Sequence, residues 1–296
     1  MSVIGFVGLG AMGSQLAGHA LRGGLRVHVH DIDPAPVSRL AEQGAVPVPD
    51  VESIAGDCTW IVTSLPRADA LDDVVGAVVS GRRAQLRGVI ETSTFSVEQK
   101  ARAAAELSAV GVALVDAPLS GTSQQAAERD LVAYVSGAER DCAESLPIIK
   151  TFTRAQYLLG ALGNGTRMKL VANLLVAIHN VAAAEALVFA ARAGLDLDTV
   201  VDAVSDGAGT SRMFEVRGPL MARRDFAATM RVDNFVKDVT IIEAHARSMG
   251  VESPLLRQSA DLYRELLARG LGHLDTAAVF ELLAGEDAGS EQSGQS

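Results

Sequence analysis

The stretch "VIGFVGLGAMG", residues 3–13, decides the fold. A short apolar run, typical of a buried strand, leads into Gly8, Gly10 and Gly13, which have the spacing G-x-G-x-x-G, and a helical pattern follows. In this context the glycines permit a tight turn and a close approach of the backbone to a pyrophosphate, which the N–H groups of a helix N-terminus can bind. The alternative is a glycine-rich turn without a ligand. The residues expected to bind a dinucleotide are Gly8, Leu9, Gly10, Ala11, Met12 and Gly13.

The next apolar segment, "RVHVHDID" at residues 26–33, indicates which dinucleotide is bound. It ends at Asp31, about twenty residues after the glycines, where a carboxylate can accept hydrogen bonds from the adenosine ribose. This carboxylate would repel a 2′-phosphate, and no arginine follows it directly, so we expect NAD to be preferred over NADP. His28 and His30 share one face of the strand without a further ligand nearby in sequence, so no metal site is predicted.

Short apolar runs alternate with helical patterns through the first half of the chain, as in the βαβ units of a parallel sheet. The predicted strands are 3–7, 26–30, 60–64, 88–92 and 112–116, and the segments 131–137 and 156–160 suggest that the sheet continues. From Gly163 onward the strand signals stop, and residues 166–193 are predicted as one helix of ~42 Å that ends at Gly194. The predicted class is therefore α/β, with a dinucleotide-binding domain at 1–162, an all-α domain at 163–286 built on a long interdomain helix, and a disordered tail at 287–296.

Composition excludes several classes of function. The chain has 296 residues and a formal net charge of −10, which disfavours nucleic-acid binding because phosphate contacts need a concentrated basic face. Cys58 and Cys142 are too few for a disulfide framework or a zinc site, and no signal peptide is evident at the start, so we expect a cytoplasmic protein. Polar residues interrupt the long apolar stretch at 170–193, which predicts a buried helix rather than a membrane span.

Three further loops leave predicted strands, and ligands bind at the carboxyl ends of strands in open α/β sheets. Leu65 and Pro66 in "TSLPRADAL" and Thr94 in "ETSTFS" are therefore candidates for the cofactor site, although ordinary loop residues are an equally simple explanation. In "DAPLSGT", residues 116–122, Ser120 supplies a hydroxyl and Gly121 lets backbone amides approach an anionic group such as a carboxylate. A simple turn after the strand is the alternative.

Lys169 lies in a predicted helix that is otherwise mostly apolar. Asn173 follows four residues later, so both side chains project from the same helical face. A partly desolvated lysine has a lowered pKa and can exchange a proton with a substrate hydroxyl near neutral pH, and an asparagine can orient the lysine or the substrate oxygen. A lysine whose amine reaches water along an apolar helix is the alternative.

Four blocks in this order resemble the β-hydroxyacid dehydrogenase family, which includes 3-hydroxyisobutyrate dehydrogenase and tartronate semialdehyde reductase. They are "GFVGLGAMG", "DAPLSG", "GNGTRMKLVAN" and "KDVTIIEAHARSMGVESPLL". The resemblance implies an N-terminal Rossmann domain, a helical C-terminal domain like that of 6-phosphogluconate dehydrogenase, and a substrate site between them. It also implies that Ser120 and Gly121 hold the substrate carboxylate, that Lys169 is the acid/base and that Asn173 assists it. Lys237 and Asp238 match the family's Lys-Asp pair near the nicotinamide, although an exposed ion pair at a helix start is an alternative.

The sequence also departs from the family pattern. Thr122, Gln124 and Arg129 stand at positions where the family usually has glycine, and Met230 stands where it often has phenylalanine. The Asn-Asn pair beyond the lysine is reduced to Ala172-Asn173. Thr122, Met230 and Asp238 are therefore candidate substrate contacts, and a larger or more polar acid is compatible with these changes.

The expected activity is an NAD-dependent hydride transfer between nicotinamide and a 3-hydroxy acid or its semialdehyde. An NADPH-dependent reductase of small aldehydes or imines is an alternative, as is a dinucleotide-binding protein without catalysis. Lys169 counts against an imine reductase, because those relatives generally lack the lysine. The long helix has too few polar positions to face water on any broad side, so we also expect a homodimer or homotetramer formed through the helical domain.

Overall fold

The computed structural model describes residues 2–285 and divides into two compact units, with the division between Lys169 and Leu170 inside a long helix. The domain limits expected from the sequence, 1–162 and 163–286, stay a prediction. The expected disordered tail at 287–296 lies outside the described residues.

The first unit is built on a parallel sheet of six strands in the order β3-β2-β1-β4-β5-β6. Its strands are β1 (Val3–Val7), β2 (Arg26–His30), β3 (Val46–Pro47), β4 (Trp60–Thr63), β5 (Gly88–Glu91) and β6 (Ala113–Asp116). The five predicted strands are confirmed, two of them with identical bounds. The two-residue edge strand β3 is too short to give a pattern in the sequence. Strand order reverses between β1 and β4, which is where open sheets of this kind bind dinucleotides.

Helices cover both faces of this sheet, as its almost fully buried strands require. They are α1 (Ala11–Arg22), α2 (Pro34–Ala41), α3 (Val51–Asp57), α4 (Ala68–Ser80), α5 (Val97–Ser108), α6 (Ser123–Ala127) and α7 (Glu139–Phe152). One core cluster packs the side chains of α1, α2 and α7 against the sheet, and a second packs those of α3, α4 and α5 against its other face.

The expectation that the main sheet continues beyond β6 is wrong. The later segments form a separate sheet of three strands, β7 (Leu119–Ser120), β8 (Val132–Val135) and β9 (Ala155–Leu158), in which β7 and β8 are antiparallel. An isolated bridge between Asp116 and Ser136 joins this sheet to the end of β6. Pro118 lies two residues beyond the end of β6 and has no N–H for a ladder, which is one physical reason why the chain turns away there.

The long helix α8 (Asn164–Arg192) crosses the division between the units, and the remainder of the second unit is helical. Its other elements are α9 (Leu197–Ser205), α10 (Arg212–Ala222), α11 (Val232–Ser248), α12 (Pro254–Ala268), a 3₁₀ turn (Thr276–Ala278) and α13 (Val279–Ala284). Gly194, with φ of 76°, follows the end of α8 as predicted.

Among the described helices, α8 is long and apolar enough to cross a membrane. The central helix of a helical core can have the same length and composition. Several polar side chains of α8 have partners within the protein. The Asn180 amide, which is buried, donates to the Tyr263 hydroxyl and to the Thr276 carbonyl, both at 2.9 Å. Ala177, Ala184 and other small residues of α8 belong to the core of the second unit, so α8 serves there as a core helix.

Candidate functional site

The turn between β1 and α1 has the geometry that a dinucleotide-binding loop needs. Gly8 has φ of 85°, and a Cβ on Gly13 would lie 1.9 Å from the Gly8 carbonyl oxygen, so a side chain fits at neither position. A Cβ on Gly10, in contrast, would meet no atom within 4 Å. Gly10 also precedes α1 without any side-chain cap or acidic residue in the first turn. The backbone at Gly10 therefore borders open space, and the binding of a pyrophosphate at this helix start stays a prediction.

Asp31 lies directly beyond β2 and next to this turn. Its Oδ2 accepts a 2.5 Å hydrogen bond from the Leu9 amide, and its Oδ1 accepts a 2.8 Å bond from the Asp33 amide. These two contacts fix the direction of the carboxylate beside the glycine loop. Asp33 itself caps α2 by accepting from the Ala35 amide.

The loops after β4 and β5 meet the glycine turn. A Cβ on Gly8 would lie 3.1 Å from Leu65 Cδ2, and the Leu65 amide donates to Ser93 Oγ at 2.8 Å. Pro66, the next residue, is exposed, and Thr94 is half-buried in the adjoining loop. The structure thus brings the loops that carry Leu65 and Thr94 to the switch point of the sheet, while their contact with a cofactor stays a prediction.

The predicted carboxylate loop leaves the second sheet at Ser120. Gly121 has φ of 139°, and a Cβ there would lie 2.5 Å from Leu131, so only glycine fits. Thr122 begins α6 in a capping box: its hydroxyl accepts from the Gln125 amide, and the Gln125 side chain accepts from the Thr122 amide. The Thr122 hydroxyl therefore has a structural partner, and its contact with substrate stays a prediction.

A buried charge cluster that the sequence analysis missed joins the ends of β5 and β6. Lys100 Nζ lies 2.6 Å from Glu91 Oε2 and 2.7 Å from Asp116 Oδ1, and all three side chains are fully buried. Burial opposes the lysine charge, but the adjacent Asp116 and Glu91 carboxylates outweigh it and raise the pKa of Lys100. Glu91 and Asp116 open the quoted motifs "ETSTFS" and "DAPLSG", a signal that could have revealed them.

The same cluster anchors the start of α8. Asp116 Oδ2 accepts from the Thr166 amide at 2.8 Å and from Ser136 Oγ at 3.0 Å, and the Thr166 hydroxyl donates to Asp116 Oδ1. A Cβ on Gly165 would lie 2.2 Å from the Tyr134 carbonyl oxygen, so glycine is needed for this close approach. Lys169 follows Thr166 by three residues and is 6% exposed. The carboxylate of Asp116 therefore positions the helical turn that carries Lys169.

In the second unit, Asn173 belongs to a polar chain. Its Nδ2 donates to Asp238 Oδ2 at 2.9 Å, and Asp238 Oδ1 lies 3.1 Å from Lys237 Nζ. Asn173 is 2% exposed, and Asp238 lies in the second turn of α11, so the Lys-Asp pair is not an ion pair at a helix start. Their predicted roles toward substrate and cofactor stay predictions.

Met230 is held by a second buried cluster, centred on Asp275. Asp275 Oδ2 accepts from the Thr229 and Met230 amides at 2.9 and 2.8 Å, and Oδ1 lies 3.2 Å from Arg217 Nε. Burial raises the pKa of the Asp275 carboxyl, but Arg217 and the backbone amides outweigh it and lower this pKa. Asp275 thus fixes the backbone at Met230, and no feature of the sequence analysis pointed to it.

The two histidines of β2 differ in their surroundings. His30 Nδ1 lies 3.3 Å from the Val48 carbonyl oxygen, whereas the buried His28 Nδ1 has no hydrogen-bond partner among the described residues and lies 3.9 Å from Asp57 Oδ2. Within residues 2–285 no group of three or more His, Cys, Asp or Glu side chains is arranged to hold a metal ion.

Two family models together match almost the whole chain. Residues 3–161 match the NAD-binding domain of 6-phosphogluconate dehydrogenase, and residues 163–283 match a domain described as the NAD-binding domain of NADP-dependent 3-hydroxyisobutyrate dehydrogenase. The first match covers more than half of the chain and contains the glycine turn and Asp31. The second contains Lys169, Asn173 and Asp238.

Similar proteins are dehydrogenases and reductases. The chain is 30% identical to L-threonate dehydrogenase from Cupriavidus necator, covering 95% of this chain and 96% of that protein. It is 28% identical to glyoxylate/succinic semialdehyde reductase 1 from Arabidopsis thaliana, covering 94% and 97%. The solved 3-hydroxyisobutyrate dehydrogenase from Salmonella typhimurium superimposes with a TM-score of 0.86 at 30% identity, covering 95% of this chain and 100% of that structure. The chain therefore belongs to the β-hydroxyacid dehydrogenase family and is an NAD(P)-dependent dehydrogenase that acts on hydroxyl groups.

Proposed function

We propose that the protein oxidises a 3-hydroxy acid with NAD, or reduces the corresponding semialdehyde with NADH, and that Lys169 is the acid/base. The observation that carries this proposal is the placement of Lys169. It is buried in the first turns of α8, three residues after the Thr166 amide and hydroxyl that bind Asp116. Burying a lysine at such a position costs free energy, which a functional role would explain. Its amine can exchange a proton with a substrate hydroxyl.

Other residues of the chain support this role. During oxidation Lys169 Nζ takes the hydroxyl proton, and during reduction it returns it. Asn173 projects from the same face of α8, and its amide is oriented by the 2.9 Å bond to Asp238. Ser120 Oγ and the backbone at Gly121 would bind the substrate carboxylate. When bound, the nicotinamide supplies or accepts the hydride.

The proposed preference for NAD rests on Asp31. Its carboxylate is held beside the glycine turn by the Leu9 and Asp33 amides, in the position from which it can accept hydrogen bonds from ribose hydroxyls. A 2′-phosphate at this place would meet a like charge without a compensating arginine directly after it.

A second candidate is the reduction of a small aldehyde such as glyoxylate or succinic semialdehyde. It is favoured by the Arabidopsis relative, whose name states that activity. The two candidates use the same lysine and differ in their substrates, so a substrate panel separates them.

The test compares the wild type with Lys169→Ala, Lys169→Met and Lys169→Arg, using 3-hydroxyisobutyrate, L-threonate, tartronate semialdehyde, glyoxylate and succinic semialdehyde and following NADH absorbance. The two neutral variants should lower kcat by ~10²–10⁴ while NAD affinity changes little. Arginine should not rescue activity, because a guanidinium keeps its proton at working pH. Arg167→Ala removes an exposed cation two residues earlier in α8 and is the matched control.

Ser120→Ala separates binding from proton transfer in the same assay. Because its partner is the carboxylate in both ground and transition states, this variant should raise KM more than it lowers kcat. Near wild-type turnover by Lys169→Ala on the best substrate would refute the proposed mechanism.

We also propose a homodimer or homotetramer that forms through α8. Val171, Leu175 and Phe189 on this helix are 57%, 46% and 77% exposed, and Met168, Ala182 and Ala186 continue the same stripe at spacings of three, four or seven residues. Large apolar side chains repeated along one helix are the usual pattern of a helix-packing seam.

We also propose a cytoplasmic location. Cys58 and Cys142 are both free thiols, which is in keeping with it.

A further inference from the structure

A cavity of about 310 Å³ lies in the first unit between the end of α1, the end of α6 and α7. Four basic side chains line it, those of His19, Arg22, Arg129 and Lys150, and no acidic residue among the described ones does. Its volume is at the lower end of the range of ~300–1,000 Å³ that is usual for small-molecule sites. The chain as a whole has a net charge of −10, so the basic lining of this cavity contrasts with the charge of the rest of the protein.

The charge of this cavity is not neutralised by the part of the chain that the structure describes. Arg22, Arg129 and Lys150 make no ion pair there, whereas Asp130, beside Arg129 in sequence, pairs with Arg154 at 2.5 Å. His19 Nε2 lies 2.8 Å from the Ala126 carbonyl and must donate to it, so Nδ1 accepts the 3.0 Å bond from Arg22. This is the neutral tautomer, and the cavity therefore carries three positive charges.

Arg129 lies on the rim in a conformation that favours glycine. Its φ is 61°, and it follows α6 at the position where the Arg129 amide donates to the Ala126 carbonyl and the Asp130 amide to the Gln125 carbonyl. This is a Schellman end, at which glycine is preferred. The chain has an arginine there, and its guanidinium donates to the Lys150 carbonyl at 2.7 Å, on the side of the cavity. Arg129 therefore occupies a backbone position that favours glycine, with its guanidinium on the side of the cavity.

We propose that this cavity binds a small anion with a phosphate group, at a site separate from the dinucleotide-binding turn. The turn lies at the start of α1 and Arg22 at its end, ~18 Å apart along the twelve residues of the helix. Two guanidinium groups and one ammonium supply directional donors and point charges of the kind that phosphate oxygens accept. The net charge of the protein opposes the binding of an extended polyanion, which favours a small anion.

The proposal is tested by calorimetric titration of inorganic phosphate and pyrophosphate into the protein saturated with NAD, which occupies the glycine turn, against chloride at equal ionic strength. Arg22→Gln with Lys150→Gln should weaken the affinity at least about tenfold, because two charged donors are lost. Arg26→Gln with Arg82→Gln removes two exposed charges of the same unit and should leave the affinity unchanged.

Arg129→Gly is a variant that should fold like the wild type, because glycine favours the positive φ at this position. It should weaken phosphate binding by about threefold to tenfold while thermal stability is kept or raised. Equal affinity in the wild type and the Arg22/Lys150 variant would overturn the proposal, as would an equal loss in the Arg26/Arg82 control. Absence of wild-type binding of either anion up to ~10 mM would overturn it as well.

Discussion

Replacing Lys100 by methionine should destabilise the first unit by about 3–5 kcal/mol at neutral pH. Methionine has a similar length and fills the same space, so the change removes a charge rather than volume. The Glu91 and Asp116 carboxylates, 2.6 and 2.7 Å from Nζ and fully buried, would lose their shared cation. They would keep only neutral donors, such as the Ser93 amide for Glu91 and the Thr166 amide for Asp116. Two like charges would then remain together in a medium of low dielectric.

The destabilisation has a definite pH dependence. In the Lys100→Met variant, the Glu91 and Asp116 carboxylates would be buried without a cation, and binding of a proton would remove one of the two repelling charges. The variant should therefore be destabilised most at high pH, and its loss of stability relative to wild type should become smaller as the pH is lowered from about 8 to about 5. In the wild type, the raised pKa of Lys100 makes its contribution complete below the ordinary lysine pKa and lost only in strong alkali.

The assay is urea denaturation followed by tryptophan fluorescence. The chain has one tryptophan, Trp60, which is 5% exposed in β4 beside the strand that carries Glu91, so the signal reports the first unit. The midpoint should fall by about 1–2 M urea. Lys150→Met, at an exposed position, is the matched control and should stay within ~0.5 kcal/mol of wild type. A loss below ~1 kcal/mol, or a loss that does not change with pH, would refute the account of the cluster.

Three further predictions concern the cofactor and the assembly. Gly10→Ala should unfold at the same temperature as the wild type but bind NAD at least about tenfold more weakly in fluorescence titration. Gly13→Ala should instead be destabilised by about 1–3 kcal/mol, because its Cβ would lie 1.9 Å from the Gly8 carbonyl oxygen. Asp31→Ser should narrow the preference for NAD over NADP in kcat/KM by removing the like charge, and equal use of both cofactors by the wild type would contradict the proposal. Light scattering at micromolar concentration should show that the wild type is a dimer or tetramer, and Phe189→Asp should shift the equilibrium toward monomer. A monomeric wild type would count against assembly through α8.

The parallel sheet and the glycine turn were predictable because their signals are local. Strands buried on both faces read as apolar runs, and the turn of Gly8, Gly10 and Gly13 needs particular residues within six positions. The second sheet was predicted wrongly because its strands look like continuations of the first. What separates them is the turn at Pro118 and the pairing of β7 with β8, and neither leaves a periodic pattern in a strand of two residues.

The buried charge clusters were not predictable because their members are distant in sequence. Asp116 contacts Lys100, Ser136 and Thr166, and Asp275 contacts Arg217 and Thr229. A lone lysine or aspartate in a helix or loop is usually solvated, and only the fold shows that these two carboxylates serve as anchors. The candidate acid/base was predicted from Lys169 alone, but the reason its helical turn is held in place was visible only in the structure.

The structure of α6 changes the interpretation of the residues at the family's glycine positions. From the sequence, Thr122 and Gln124 were expected to alter the substrate pocket, and Arg129 was a further departure from the family's glycine pattern. In the structure Thr122 caps the start of α6 with Gln125, and Arg129 occupies the Schellman position after its end. Both substitutions therefore act first on a helix of five residues, which is too short to persist without its caps. Gln124 is exposed on the same helix, and the effect of these three residues on substrate choice stays a prediction.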